Sequence, residues 1–185
     1  MRTSRSGESA LLLLDVVDVL GCEQVDYAVI GAMAASVHGV LRASMDADAV
    51  LSITTQQLGQ LQTRFRDSGF ATDLRRGDLD DPIAAVLALS DSFGNRVDLL
   101  VGLRGLEKEA FERAIEVTFQ RAALRVVGVE DFIAMKVFAG GPQDIADARY
   151  ALAAANATLN RELLLRLTAR YGRDAISALE KLLSS

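Results

Sequence analysis

In the first part of the chain, segments with apolar residues at helical spacing are followed by segments in which apolar and polar residues alternate as in a strand. Residues 10–21 (ALLLLDVVDVLG) predict an amphipathic helix, and residues 25–31 (VDYAVIG) predict a short strand that ends in glycine. A short helical segment follows at 32–38. Residues 46–53 (DADAVLSI) alternate before they become wholly apolar, as a strand does when one end is exposed to water. A threonine-capped helix is predicted over 54–69.

The next stretch indicates more strands. Residues 70–81 (FATDLRRGDLDD) predict a short strand and a turn, and the apolar runs 83–91 and 95–102 predict a hairpin around a glycine-containing turn. Residues 105–117 (GLEKEAFERAIEV) predict an exposed helix, and residues 119–128 predict a short strand or hairpin element.

The character of the chain changes at residue 129. Four successive helical patterns with Gly, Pro or Asn at their joints follow, over 129–140, 142–155, 160–172 and 173–185. We therefore predict an α+β fold with a mixed β-sheet flanked by helices and a C-terminal helical bundle. The predicted division is an α/β core at 1–128 and a helical region at 129–185 packed on it.

Composition narrows the class of protein. With 185 residues and half of them apolar, the chain is long enough for one well-packed core. The net charge of -5 argues against broad electrostatic affinity for nucleic acid. One histidine and one cysteine exclude a histidine triad and an internal disulfide, which suits a cytoplasmic protein. Residues 10–21 are too short and too charged for a membrane span, so no membrane association is expected.

Two carboxylates suggest where chemistry could occur. Asp46 and Asp48 lie two residues apart on a predicted strand, so they share one face with their β-carbons about 7 Å apart. Asp98 interrupts another apolar strand, where a carboxylate needs a metal or a cation such as Arg42 or Arg96. Oxygen ligands favour Mg²⁺ or Mn²⁺. The alternative is that these aspartates are structural, in which case Asp98 would lie far from the other two.

The order of these features resembles the polymerase-β-type nucleotidyltransferases, and more narrowly their abortive-infection (AbiEii-like) group of minimal nucleotidyltransferases. The resemblance covers roughly residues 25–155. Its first part is the strand ending in glycine, the short helix, a second glycine, and then Arg42, Ser44, Asp46 and Asp48, with Asp98 later. Its second part is VEDFIAMKVFAGGPQDIADARYAL, which contains Lys136, Asp144 and Asp147.

The resemblance implies a nucleotidyltransferase fold and a magnesium- or manganese-dependent active site. Asp46 and Asp48 would bind the metals, and Asp98 would be a third ligand or the general base. Lys136 would neutralise the leaving pyrophosphate. The residues implied at the nucleotide and its phosphates are Gly31, Ala32, Ser36, Arg42, Ser44, Lys136 and Asp144.

The implied reaction is attack by an acceptor hydroxyl on the α-phosphorus of a nucleoside triphosphate. The acceptor would be a protein or an RNA, tRNA included, and the protein would be the toxin of a toxin-antitoxin or phage-defence system with an antitoxin partner. A homodimer is compatible with the sequence.

Several residues leave other readings open. Ala32, Gly141 and Gln143 depart from the family pattern, so the alternative is a weak or inactive binding protein, either a nucleotide sensor or a toxin-antitoxin partner. Apart from the resemblance, Lys136 fits a surface lysine whose ammonium reaches solvent, and Asp144 and Asp147 fit a helix start. A further basic helix face is either solvated or in contact with RNA or a partner; its residues are Arg166, Arg170 and Arg173.

Overall fold

The computed structural model describes residues 1–40 and 46–184, which form a mixed sheet of seven strands and seven helices. In chain order the elements are α1 Ser9–Cys22, β1 Tyr27–Ile30, α2 Gly31–Val37, β2 Asp46–Leu51, α3 Thr55–Asp67, β3 Ala71–Arg76, β4 Ile83–Ser90, β5 Arg96–Leu103, β6 Ile115–Phe119, β7 Ala122–Val126, α4 Val129–Ala139, α5 Pro142–Ala155, α6 Arg161–Ala169 and α7 Arg173–Leu183. The predicted α+β class and the four C-terminal helices are confirmed.

The strand order is β3-β4-β5-β2-β1-β7-β6, which places β2 at the centre of the sheet. β2 pairs with β5 in parallel and with β1 in antiparallel orientation. One face of the sheet is covered by α1 and α3. Their buried side chains include Leu12 and Val16 of α1 and Leu58 and Phe65 of α3. Because side chains alternate along a strand, the opposite face of β2 is left for Asp46 and Asp48.

The segment after β5 does not form the predicted helix. Residues 105–117 contain only one turn of 3₁₀-helix at Lys108–Ala110, and then β6 begins at Ile115. β6 pairs with β7 across a two-residue loop, Gln120 and Arg121, in which both residues have positive φ (48° and 69°). Such hairpin loops usually carry Asn-Gly, so the sequence lacks the signal that would have identified this hairpin.

An ion cluster around two buried carboxylates, Glu107 and Asp131, links the same segment to the C-terminal helices. Arg113 donates two hydrogen bonds to Asp131 of α4, each 2.8 Å long, and a third of 2.8 Å to Glu107. Arg166 of α6 forms two hydrogen bonds of 2.8 Å with Glu107, and Arg170 approaches it to 3.6 Å. The hydrogen bonds from Arg166 and Arg113 lower the pKa of Glu107 to about 2. The predicted basic face therefore consists in part of arginines that are paired within the chain.

No helix in the described part of the chain combines the length and the apolar character that crossing a bilayer requires.

Candidate active site

The candidate site is built on the two central parallel strands. The β2–β5 register places Asp48 directly opposite Asp98 and Asp46 opposite Arg96. Residues opposite one another on paired strands, and residues two apart on one strand, point to the same face. The three predicted carboxylates therefore lie on one face of adjacent strands, unlike the distant placement expected for unrelated structural aspartates.

Asp98 is held by its own strand neighbour. Arg96 Nε donates to Asp98 Oδ1 at 2.8 Å and Arg96 Nη2 donates to Asp98 Oδ2 at 3.0 Å. Two parallel hydrogen bonds of this kind are the strongest pairing that a guanidinium makes with a carboxylate. The pairing with Asp98 raises the pKa of Arg96. Arg96, one of the candidate partners for Asp98, is thus in contact with it, whereas Arg42 lies outside the described residues.

Gly31 lets the start of α2 approach Asp48. Its φ is +62°, and a Cβ at this position would overlap Asp48 Oδ2. A side chain at residue 31 is therefore excluded both by the backbone conformation and by the carboxylate. Ile30, the residue before it, pairs with Asp48 across the β1–β2 ladder. The predicted glycine, Gly31, and the predicted carboxylate, Asp48, therefore lie directly against each other.

Lys136 is not the solvent-reaching lysine that local sequence suggests. Its side chain is only 13% exposed, and its ammonium lies 2.6 Å from Asp144 Oδ1 and 3.0 Å from Asp147 Oδ2. Asp147 is fully buried, and its other oxygen accepts a hydrogen bond of 2.8 Å from Gln143. The ammonium also lies 5.8 Å from the ring centre of Phe132. Asp144 and Asp147 are thus partners of Lys136, and not only the acidic start of a helix.

A cavity of about 250 Å³ joins these groups. Gly31 and Asp48 line one part of it, and Lys136 and Asp144 line another. Most of the remaining wall is apolar and was not anticipated from the sequence; it includes Leu100, Leu103, Met135 and Phe138. The spacing of Phe132, Met135 and Phe138 on α4 is the one signal that could have indicated this wall.

The other predicted residues lie beside this cavity or outside the described ranges. Asp46, Ala32 and Ser36 line a smaller neighbouring recess of about 190 Å³. Ser36 Oγ donates to Ala32 O at 3.1 Å, and the side chain of Ala32 is buried. Arg42 and Ser44 fall outside the described residues.

Two observations bear on metal binding. The three aspartates present oxygen donors, which suit hard divalent cations. Within residues 1–40 and 46–184, no group of three or more His, Cys, Asp or Glu side chains is arranged to hold a metal ion. Asp98 would have to exchange Arg96 for a metal before all three carboxylates could act together.

The single histidine lies outside these cavities. His38 Nε2 donates to Val127 O at 2.8 Å, and its ring lies 5.3 Å from that of Phe132. Burial lowers the pKa of His38. The hydrogen bond links the C-terminal end of α2 to the segment before α4.

No protein-family model matches the chain, and no curated protein matches it. Solved structures do match. ANT(2'')-Ia in complex with adenylyl-2''-tobramycin has a TM-score of 0.60 and 14% identity, over 88% of this chain and 98% of the other. An antigenic nucleotidyltransferase-like protein from Paracoccidioides brasiliensis has a TM-score of 0.61 and 15% identity, over 98% and 90%.

A third similar structure is the lincosamide antibiotic adenylyltransferase LnuA bound to lincomycin, with a TM-score of 0.52 and 13% identity, over 82% of this chain and 99% of the other. Identities this low establish the fold alone; the second of these structures is named as nucleotidyltransferase-like and the third as an adenylyltransferase. The chain therefore has the nucleotidyltransferase fold.

Proposed function

We propose that the protein is a metal-dependent nucleotidyltransferase that transfers a nucleoside monophosphate from an Mg²⁺- or Mn²⁺-bound nucleoside triphosphate to an acceptor hydroxyl. The observation that carries the proposal is the placement of Asp46, Asp48 and Asp98 on one face of two adjacent parallel strands. Gly31 at the start of α2 and Lys136 of α4 border the same cavity as Asp48. The nucleotidyltransferase fold supports this reading.

The residues present have distinct roles in this proposal. Asp46 and Asp48 hold the divalent cations, which when bound supply Lewis-acid stabilisation of the phosphate charge. Asp98 completes the site as a ligand or accepts the proton of the acceptor hydroxyl, and Arg96 holds its carboxylate in place beforehand. Ala32 offers the triphosphate only its backbone, because its side chain has no hydroxyl.

Lys136 supplies positive charge for the leaving pyrophosphate. In the described structure its ammonium is paired with Asp144 and Asp147, so it exchanges at least one carboxylate for phosphate when the nucleotide binds. Ser36 lies in the recess beside Asp46. The phosphate contacts predicted for Arg42 and Ser44 remain part of the proposal.

The proposed acceptor is a molecule that carries a free hydroxyl. The resemblance to the AbiEii-like group supports a protein or RNA hydroxyl, tRNA included, and a toxin role with an antitoxin partner. ANT(2'')-Ia forms a complex with adenylyl-2''-tobramycin, so hydroxylated antibiotics belong in the acceptor panel as well.

Label transfer from each of the four nucleoside triphosphates tests the proposal. We expect metal-dependent incorporation into at least one acceptor class, and a loss of at least about 100-fold for Asp48→Asn, comparable to the loss of one charge-stabilising group in other active sites. The matched control is Asp67→Asn, an exposed aspartate at the end of α3. The proposal fails if the intact protein transfers label to no acceptor, or if Asp48→Asn transfers normally.

A second candidate function is nucleotide binding without transfer, as in a sensor or a toxin-antitoxin partner. The observation that favours it is the bidentate Arg96–Asp98 pair, which occupies the carboxylate that transfer requires. Calorimetric titration separates the two functions. Binding of Mg²⁺-nucleotide with no label transfer to any acceptor would favour the sensor.

A further inference from the structure

Leu79 projects from an acidic loop between β3 and β4. Its side chain is 98% exposed and is flanked by Asp78, Asp80 and Asp81. Arg104 Nη2 donates to the carbonyl oxygens of Leu79, Asp80 and Asp81 at 3.3, 3.0 and 3.2 Å. The loop therefore holds one leucine out into solvent, with carboxylates around it.

A groove lined by leucines and arginines lies between α5 and α7. It has a volume of about 540 Å³. Leu152, Leu159, Leu182 and Leu183 form its apolar walls, and all four are partly exposed. Arg149 and Arg161 also line it and are exposed.

The two arginines are exposed to solvent at the surface. Across the described ranges 1–40 and 46–184, neither guanidinium forms an ion pair with a carboxylate. The groove thus offers leucines to an apolar side chain and two cations to acidic neighbours. The 78–81 loop carries one leucine and three aspartates, so its chemistry complements the groove.

We propose that the groove binds the 78–81 loop of a second copy of this chain. The loop continues into Pro82, which lines the candidate active-site cavity together with Asp144 near the start of α5. The groove is formed by the other half of α5, from Arg149 to Asn156. Loop and groove therefore lie toward opposite ends of one helix about 21 Å long.

This placement allows a two-fold dimer. If the α5 helices of two copies run antiparallel, with loop and groove on the side that faces the partner, the loop of each copy meets the groove of the other and both contacts form at once. Because Pro82 borders the cavity, the α7 helix of one copy would then stand at the mouth of the other copy's candidate active site. The dimer does not depend on nucleotidyl transfer.

Sedimentation velocity over a concentration series tests the dimer on the full chain. We expect a monomer–dimer equilibrium whose dissociation constant rises about tenfold or more in Leu79→Gln, because a buried apolar anchor is lost. Leu165→Gln is the control, since Leu165 is 44% exposed on α6 and lies outside the loop and groove. Circular dichroism confirms that each variant is folded.

Charge reversal gives a second, more specific test. Asp80→Lys and Arg149→Glu should each weaken association, and the double variant should recover part of it because the attraction is restored with opposite signs. Mixing Leu79→Gln chains with Arg149→Glu chains should also restore some dimer, since one intact contact remains. A chain that is monomeric at all concentrations, or a dimer indifferent to Leu79 and Arg149, would overturn the proposal.

Discussion

Gly31 and Asp48 show how one missing side chain shapes the candidate site. The Asp48 carboxylate occupies the space that a Cβ at residue 31 would need. The glycine therefore serves two purposes: it permits φ of +62° and it lets the carboxylate stand beside the start of α2.

Gly31→Ala should affect both stability and activity. The strained backbone and the displaced Asp48 should together cost about 2 kcal/mol of unfolding free energy. Gly94→Ala is the matched control, because Gly94 also has positive φ (+78°) but a Cβ there meets open space; it should cost about 1 kcal/mol. Urea unfolding measures both, and only Gly31→Ala should also reduce metal-dependent nucleotide binding. Equal effects of the two variants would contradict the role given to Asp48.

The aspartates of the candidate site could be predicted from spacing, but their partners could not. A pair two residues apart on a strand shares a face, and an aspartate within an apolar strand needs a partner. Which cation fills that need at Asp98 depends on the rotamer of Arg96. The burial of Lys136 likewise depends on where α5 returns against α4, which local sequence does not determine.

At the scale of elements, residues 105–117 show where periodicity misleads. Their apolar positions fit a helix, but Glu107 forms ion pairs with Arg113 and Arg166. In addition, strand Ile115–Phe119 pairs with strand Ala122–Val126. Tertiary pairing outweighs helix propensity, which contributes less than about 1 kcal/mol per residue. The threonine-capped helix predicted at residues 54–69 does form: Thr54 and Gln57 make the capping box that begins α3.

The unusual β6–β7 loop makes a prediction of its own. Gln120 and Arg121 both adopt positive φ, which costs non-glycine residues energy. Replacing the pair with Asn-Gly should raise the unfolding free energy by about 0.5–1 kcal/mol, because those residues adopt this turn most readily. Thermal and urea unfolding measure the change. A loss of stability would mean that the loop residues make favourable contacts of their own.

Glu107 should make stability depend on pH. Its folded pKa of about 2 lies below the usual value of 4.5, so the charged form is favoured in the folded state. This contribution is complete above about pH 4.5 and is lost as pH falls toward 2. Glu107→Gln should cost about 2 kcal/mol at pH 7, and its deficit should shrink on acidification.

Urea unfolding at a series of pH values measures the Glu107 effect. Glu112→Gln, an exposed glutamate in the same segment, is the control and should change stability little at any pH. A deficit for Glu107→Gln that stays constant from neutral pH to pH 2 would show that the arginines do not stabilise the carboxylate.

At the scale of the whole molecule, the sequence predicts the class of fold but not the strand order. β2 and β5 are neighbours in the sheet, although some 45 residues separate them in the chain. That pairing positions Asp98 opposite Asp48, and it arises from the burial of both strands and not from a local signal. The apolar cavity is lined by both the sheet and α4, so the apolar spacing on α4 indicates one wall of it but not the cavity itself.

The division into a core at 1–128 and a helical region at 129–185 remains a prediction. Glu107 and Arg113 lie before that boundary, whereas Asp131 and Arg166 lie after it, and all four belong to one cluster. Removal of the C-terminal helices would leave a buried carboxylate without two of its arginines. The C-terminal helices therefore contribute to the stability of the core.

The Glu107 cluster also bears on how the protein fluctuates. A single carboxylate joins the connection after β5 to α6, and Arg113 extends the link to α4. Transient opening of either side would leave charges desolvated on the other, so the two sides should open and close together as one cooperative unit. Such coupling would hold α4, which lines the cavity, in one position, with Lys136 beside Asp144 and Asp147.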